Sequence, residues 1–93
     1  MPVGLLTLDI SIPESRSLKD KRQVLRSLKD RLRRRFNVAV AELEHQDVWQ
    51  RAVIGVVTLG DQPGLVEQSL RAVLQDSELQ LGRYLVDHQL EIL

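Results

Sequence analysis

The hydrophobic period of this 93-residue chain switches from two to the helical repeat and back, twice over. Leu6, Leu8, Ile10 and Ile12 recur at every second position in an aliphatic run over 3–12 that Pro13 ends, which predicts a strand. Ser17 opens S-L-K-D, where a serine caps a helix and Asp20 answers from the third position. Leu18, Leu25, Leu28 and Leu32 then form one apolar stripe, so a first helix is expected over about 18–35. A second strand is expected over 37–44, a turn around His45 to Trp49, and a strongly β third strand over 51–59. After G-D-Q-P-G, with Asp61 as the expected cap, Leu65, Val66, Leu70, Val73 and Leu74 predict a second helix to about Gln75 or slightly beyond. From about Leu81, the alternation of Tyr84, Val86, His88, Leu90 and Ile92 predicts a fourth strand with those side chains on one side.

The order βαββαβ constrains the topology. Two helices must cover one face of a four-stranded sheet, and right-handed crossovers place strands one and three at its centre. The expected fold is therefore an α+β ferredoxin-like two-layer sandwich, with the chain forming a single domain. Its other sheet face should be wet and cleanly alternating. Instead Val3, Leu5, Val53, Val57 and Leu59 all point there, an apolar patch suited to association unless edge-strand side chains cover it. A homodimer through Leu5, Val53, Val57 and Leu59 is the corresponding expectation.

Charge is distributed as unevenly as the hydrophobic pattern is regular. Ten of the thirteen Lys and Arg residues lie between Arg16 and Arg35, opposed only by Asp20 and Asp30, while the whole chain is neutral. At 100° per residue, Lys19, Arg22, Arg26, Lys29 and Arg33 fall within an arc of about 80° beside the apolar stripe, spread along about 21 Å of helix. Arginine outnumbers lysine ten to three, and its planar fork suits bidentate contact with phosphate. Arg33, Arg34 and Arg35 also stand where the helix dipole favours positive charge. Three readings remain open at this point: phosphate or nucleic-acid contact through Lys19, Arg22, Arg26, Lys29, Arg33 and Arg34, charge pairing within a dimer, or plain solvation.

Several function classes lose support. With no cysteine there is neither a disulfide scaffold nor a thiol nucleophile, and no cofactor-binding motif is present. No apolar run approaches the roughly 20 residues of a bilayer span, and no signal peptide is visible, so a cytoplasmic protein without membrane contact is expected. RNA binding by base stacking on the sheet needs aromatics on the central strands, which contain none, and there is no G-x-x-G clamp. Acylphosphatase, an enzyme of this architecture, uses a glycine-rich phosphate loop after strand one; here that loop is Pro13-Glu14-Ser15-Arg16. His45 and Asp47 offer two metal ligands where three are needed, so Asp47 is read as shaping the turn. His88 is expected half-buried, and Phe36 and Tyr84 in the core. Asp9 should either pair with Arg51 across the sheet or line a small pocket. Trp49 is either a lid on the core or, with Arg51, an exposed contact for a partner. No catalytic constellation emerges, and a non-enzymatic protein is expected.

The segments S-L-K-D-K-R at 17–22, R-R-R-F-N-V-A-V-A-E at 33–42 and H-Q-D-V-W-Q-R-A-V-I-G-V at 45–56 together resemble the YlxP-like family of small bacterial proteins. The resemblance runs from strand one through strand three and more loosely into helix two. It implies a ferredoxin-like fold and a gene neighbourhood among translation and ribosome-maturation factors, hence ribosomal RNA or the ribosome as the partner. Members are sometimes likened to ribosome-binding factor A, whose characteristic KH-type helix kink has no counterpart here. The family brings no established catalytic residues, but it adds weight to Lys19, Lys21, Arg22, Arg34, Asp47, Trp49, Gln50 and Arg51 as functional surface. The runner-up expectation is a dimeric interaction or regulatory module whose basic helix meets an acidic protein.

Overall fold

A computed structural model describes residues 1–93 as β1 (Val3–Ser11), α1 (Leu18–Arg35), β2 (Ala39–Glu44), β3 (Arg51–Leu59), α2 (Pro63–Leu81) and β4 (Leu85–Ile92). The four strands form one sheet in the order β2-β3-β1-β4, every neighbouring pair antiparallel. This is the ferredoxin-like α+β layout, with β1 and β3 central. Leu6, Leu8 and Ile10 pair with Val56, Ile54 and Ala52, and all six are fully buried under the helices. Leu25, Leu28 and Leu32 of α1 and Val66, Leu70 and Val73 of α2 complete that core. Gly4 lets α2 come close to the sheet. A Cβ there would stand 2.6 Å from Leu70 Cδ1 and 2.7 Å from Val66 Cγ1.

The largest departure from the sequence reading lies in the second half. α2 continues past Gln75 to Leu81, and β4 begins at Leu85 after a 3-10 turn over Gly82–Tyr84. Asp76 and Ser77 interrupt the apolar pattern and read as a helix end, but both are buried with their polar atoms satisfied. Ser77 Oγ donates to the Val73 carbonyl at 2.8 Å, and Asp76 meets an arginine of α1. Gly82, at φ 54°, supplies the positive-φ residue that ends the helix, a backbone state that glycine adopts without a Cβ clash. At the other end the cap position is Gln62 rather than Asp61, with Pro63 in the first turn. A register shift at Asp9/Ile10 then places Leu85, not Val86, opposite Ile10, so Val86 is exposed and the expected single-sided alternation of β4 breaks there. His88 is exposed as well, not half-buried, because β4 is an edge strand.

Candidate nucleic-acid interface

The N-terminus of α1 is built as its sequence predicts. The Asp20 N–H donates to Ser17 Oγ at 3.1 Å, and Asp20 Oδ2 accepts the Arg16 N–H at 3.0 Å. Burial of Leu25, Leu28 and Leu32 then decides which flank of the helix faces outward. Lys19, Arg22, Arg26, Arg33 and Arg34 are exposed and Lys29 is half-buried. No ion pair within 4.0 Å neutralises any of these six. Arg33 donates to the Val40 carbonyl at 2.8 Å, which orients its guanidinium against β2 but leaves its charge uncompensated. Arg22, Arg26, Lys29 and Arg33 line a shallow depression of about 430 Å³ between α1 and β2, with Asp30 and Glu42 also on its wall.

Other cations of the same helix are engaged. Arg31 holds Asp76 bidentately at 3.0 and 3.1 Å, and Arg35 stands 4.0 Å from the same carboxylate. The Arg31 hydrogen bonds hold the Asp76 carboxyl below its ordinary value, and Asp76 in turn raises Arg31. Lys21, weighted as functional surface by the family resemblance, is instead 1% exposed. Its ammonium bonds Glu42 Oε2 at 3.0 Å and the carbonyls of His45, Gln46 and Arg51 at 2.7, 3.3 and 3.3 Å. Lys21 therefore pins the β2–β3 turn onto the start of α1. The only sequence signal for this was its position on the edge of the apolar stripe, four residues before Leu25.

That turn carries the remaining candidates. His45 adopts a left-handed backbone, φ 66°, and its carbonyl accepts both Lys21 Nζ and the Val48 N–H. Gln50 Nε2 donates to the carbonyls of Pro13 and Ser15, tying the turn to the β1–α1 loop. Trp49 is 52% exposed, so it is not a lid on the core, and Val48 beside it is exposed too. Arg51 is bonded to Asp9 at 3.0 Å across the open sheet face. Asp9 also lines a small polar hollow there with Thr7, Glu44, Val53 and Asp87, so both expectations for it are met. No three His, Asp or Glu side chains converge closely enough to hold a metal.

The open face is less apolar than its sequence indicates. Val53 is only 8% exposed, whereas Val57 and Leu59 are 37% and 61% exposed and Leu5 is partly buried. Leu43 of β2 lies over Gly55 in the middle of the face, a covering residue that the sequence reading missed. Tyr84 packs its ring against the core, as expected, while its hydroxyl donates to the Glu14 carboxylate. That bond raises Tyr84 and, together with Arg83 3.1 Å from the same carboxylate, lowers Glu14.

A two-helix, four-stranded ferredoxin-like domain with a basic helical flank defines a structural class and no single activity. Residues 3–89 match a family model described as a protein of unknown function, DUF503. The chain is 33% identical over 72 residues to the uncharacterized protein YlxP of Bacillus subtilis (strain 168), covering 77% of this chain and 78% of that protein. The chain belongs to this YlxP-like family. The family description assigns no catalytic activity. No helix is long and apolar enough to cross a membrane.

Proposed function

We propose that this chain is a non-enzymatic, cytoplasmic RNA- or ribosome-associated protein that contacts phosphates through the outer flank of α1. The supporting observation is that Lys19, Arg22, Arg26, Lys29, Arg33 and Arg34 lie along one helix without a carboxylate partner. A row of unneutralised cations attracts a polyanion by releasing its counterions, and the affinity then falls steeply with salt. The exposed Trp49, held at the end of the molecule where α1 begins, supplies a second contact by stacking on an unpaired base. Recognition in this mode reads backbone and shape more than sequence.

Titration of structured ribosomal RNA at several salt concentrations tests the reading. The log–log salt slope should shrink by about 0.7–0.9 for each contacting cation removed, as in Arg26→Ala. Binding that is absent, or whose salt slope is unchanged in Arg22→Ala and Arg26→Ala, would count against it. The second reading is an interaction or regulatory module that dimerises through the open sheet face and whose basic flank meets an acidic protein. Its supporting observation is the apolar strip left by Val57, Leu59 and Leu43 on the open face. It would be favoured if RNA failed to bind at any salt concentration.

A further inference from the structure

The two edges of the sheet are finished differently. In an antiparallel ladder, alternate residues of an edge strand turn their N–H and C=O groups outward. The bond from Leu93 N–H to the Val3 carbonyl sets the phase on one side, so Asp87, Gln89 and Glu91 of β4 face β1 and His88, Leu90 and Ile92 face outward. On the other side the outward residues of β2 are Val40 and Glu42. Both of their carbonyls are capped from within the chain, Val40 by Arg33 at 2.8 Å and Glu42 by Gln46 at 3.5 Å. On β4 only the His88 N–H is occupied, by the neighbouring Asp87 carboxylate at 2.8 Å. No side chain or backbone group of the chain bonds the outward groups of Leu90 and Ile92. The segment contains no proline or lysine to block pairing.

We propose that the free edge of β4 pairs antiparallel with β4 of a second copy, joining two sheets into one eight-stranded sheet about a two-fold axis at Leu90. The register follows from charge and exposure. A two-fold at Gln89 would place Asp87 opposite Glu91 of the other copy, two carboxylates in direct cross-strand contact. A two-fold at Leu90 sets Leu90 against Leu90, His88 against Ile92, Gln89 against Glu91 and Asp87 against Leu93, with no like-charged pair of side chains. It also covers Ile92 and Leu93, which are exposed in the single chain. The outward groups of His88, Leu90 and Ile92 then bond their counterparts, with Asp87 releasing the His88 N–H. A single strand pair of this size makes a weak, concentration-dependent dimer. α1 packs on the β2 side of the sheet and α2 on the β4 side, so both basic flanks stay free and this pairing is independent of RNA binding.

The absence of cysteine makes the register directly testable. Gln89→Cys and Glu91→Cys are both exposed positions that turn toward the open face. Across a two-fold at Leu90 they oppose each other as a non-hydrogen-bonded pair at about 4.5 Å between Cα atoms, within disulfide range, whereas two copies of Gln89→Cys are about 7–8 Å apart, beyond it. Mild oxidation of the two variants mixed at submillimolar concentration should give a Gln89→Cys/Glu91→Cys heterodimer, with neither variant alone cross-linking comparably. Sedimentation of the unmodified chain should show a dimer that Val57→Asp leaves intact. A monomer at all concentrations, cross-linking no greater in the mixture than in either variant alone, or a dimer abolished by Val57→Asp would each overturn the proposal. The last result would assign the contact to the open face instead.

Discussion

At the scale of single residues, the most consequential side chain is one that looked like surface. Lys21 reads as one more cation in a basic helix, yet its ammonium is buried and has four oxygen acceptors around it. Removing a buried charge from its partners is costly because they stay behind, desolvated and unpaired. Lys21→Met keeps most of the apolar stem but leaves the Glu42 carboxylate and the turn carbonyls without a donor. Urea unfolding should show a loss of about 3 kcal/mol, at the low end for breaking a buried pair because Glu42 retains some exposure. A loss below about 0.5 kcal/mol, the range of an ordinary surface substitution, would remove Lys21 from the fold's framework. Arg26, nine residues beyond the Ser17 cap and unpaired, should show the reverse: little effect on stability and a measurable effect on phosphate binding.

Between elements, the Arg31–Asp76 clamp decides how α1 and α2 sit side by side. Asp76 is nearly buried and Arg31 is about one-third exposed, which places their bond between a surface pair and a buried one. Asp76→Ala should therefore cost about 1–2 kcal/mol at neutral pH. The pH dependence has a definite sign. Because folding lowers the Asp76 value below the ordinary 3.8, its contribution is complete above that value and is lost as pH falls through the folded value. Chemical denaturation of the protein and of Asp76→Asn at a series of acidic pH values should show the wild-type curve falling more steeply below about pH 4. Parallel curves would remove the clamp from the acid response. The same pair explains why α2 extends beyond the helix its sequence predicts: an aspartate in a helix interior reads as a stop until its distant arginine is known.

On the scale of the whole molecule, a neutral chain has folded into a polar object. The acids of the second half do not return to neutralise α1, apart from Glu42 on Lys21 and Asp76 on Arg31 and Arg35. Lys19, Arg22, Arg26, Lys29 and Arg33 are spaced three and four apart, so neighbours repel one another. Screening that repulsion should stabilise the free protein. Thermal melts from low to physiological salt should rise, corresponding to a gain of about 0.5 kcal/mol. A melting temperature that falls with salt would mean that attractive pairs outweigh the basic flank. The two edges of the sheet show a similar asymmetry, one with its outward carbonyls held by the chain's own side chains and the other with its outward carbonyls left free.

The layout was legible because hydrophobic period is local: Leu6 to Ile12, the leucines of α1 and the aliphatics of β3 specify strand, helix and strand within a few residues each. The concentration of positive charge on one flank of α1 was equally legible, since helix geometry alone places Lys19 to Arg33 together. What only the tertiary structure decided was which charges are engaged and which edges are free. Lys21 meets Glu42 across 21 positions, Arg31 meets Asp76 across 45, and Leu43 covers Gly55 from a neighbouring strand. Such contacts join segments brought together by the packed core, and no periodicity within either segment encodes the other's position. For the same reason the end of α2 and the bulge of β4 escaped the sequence, while the register of β1 against β3 did not need to be known for the fold to be read.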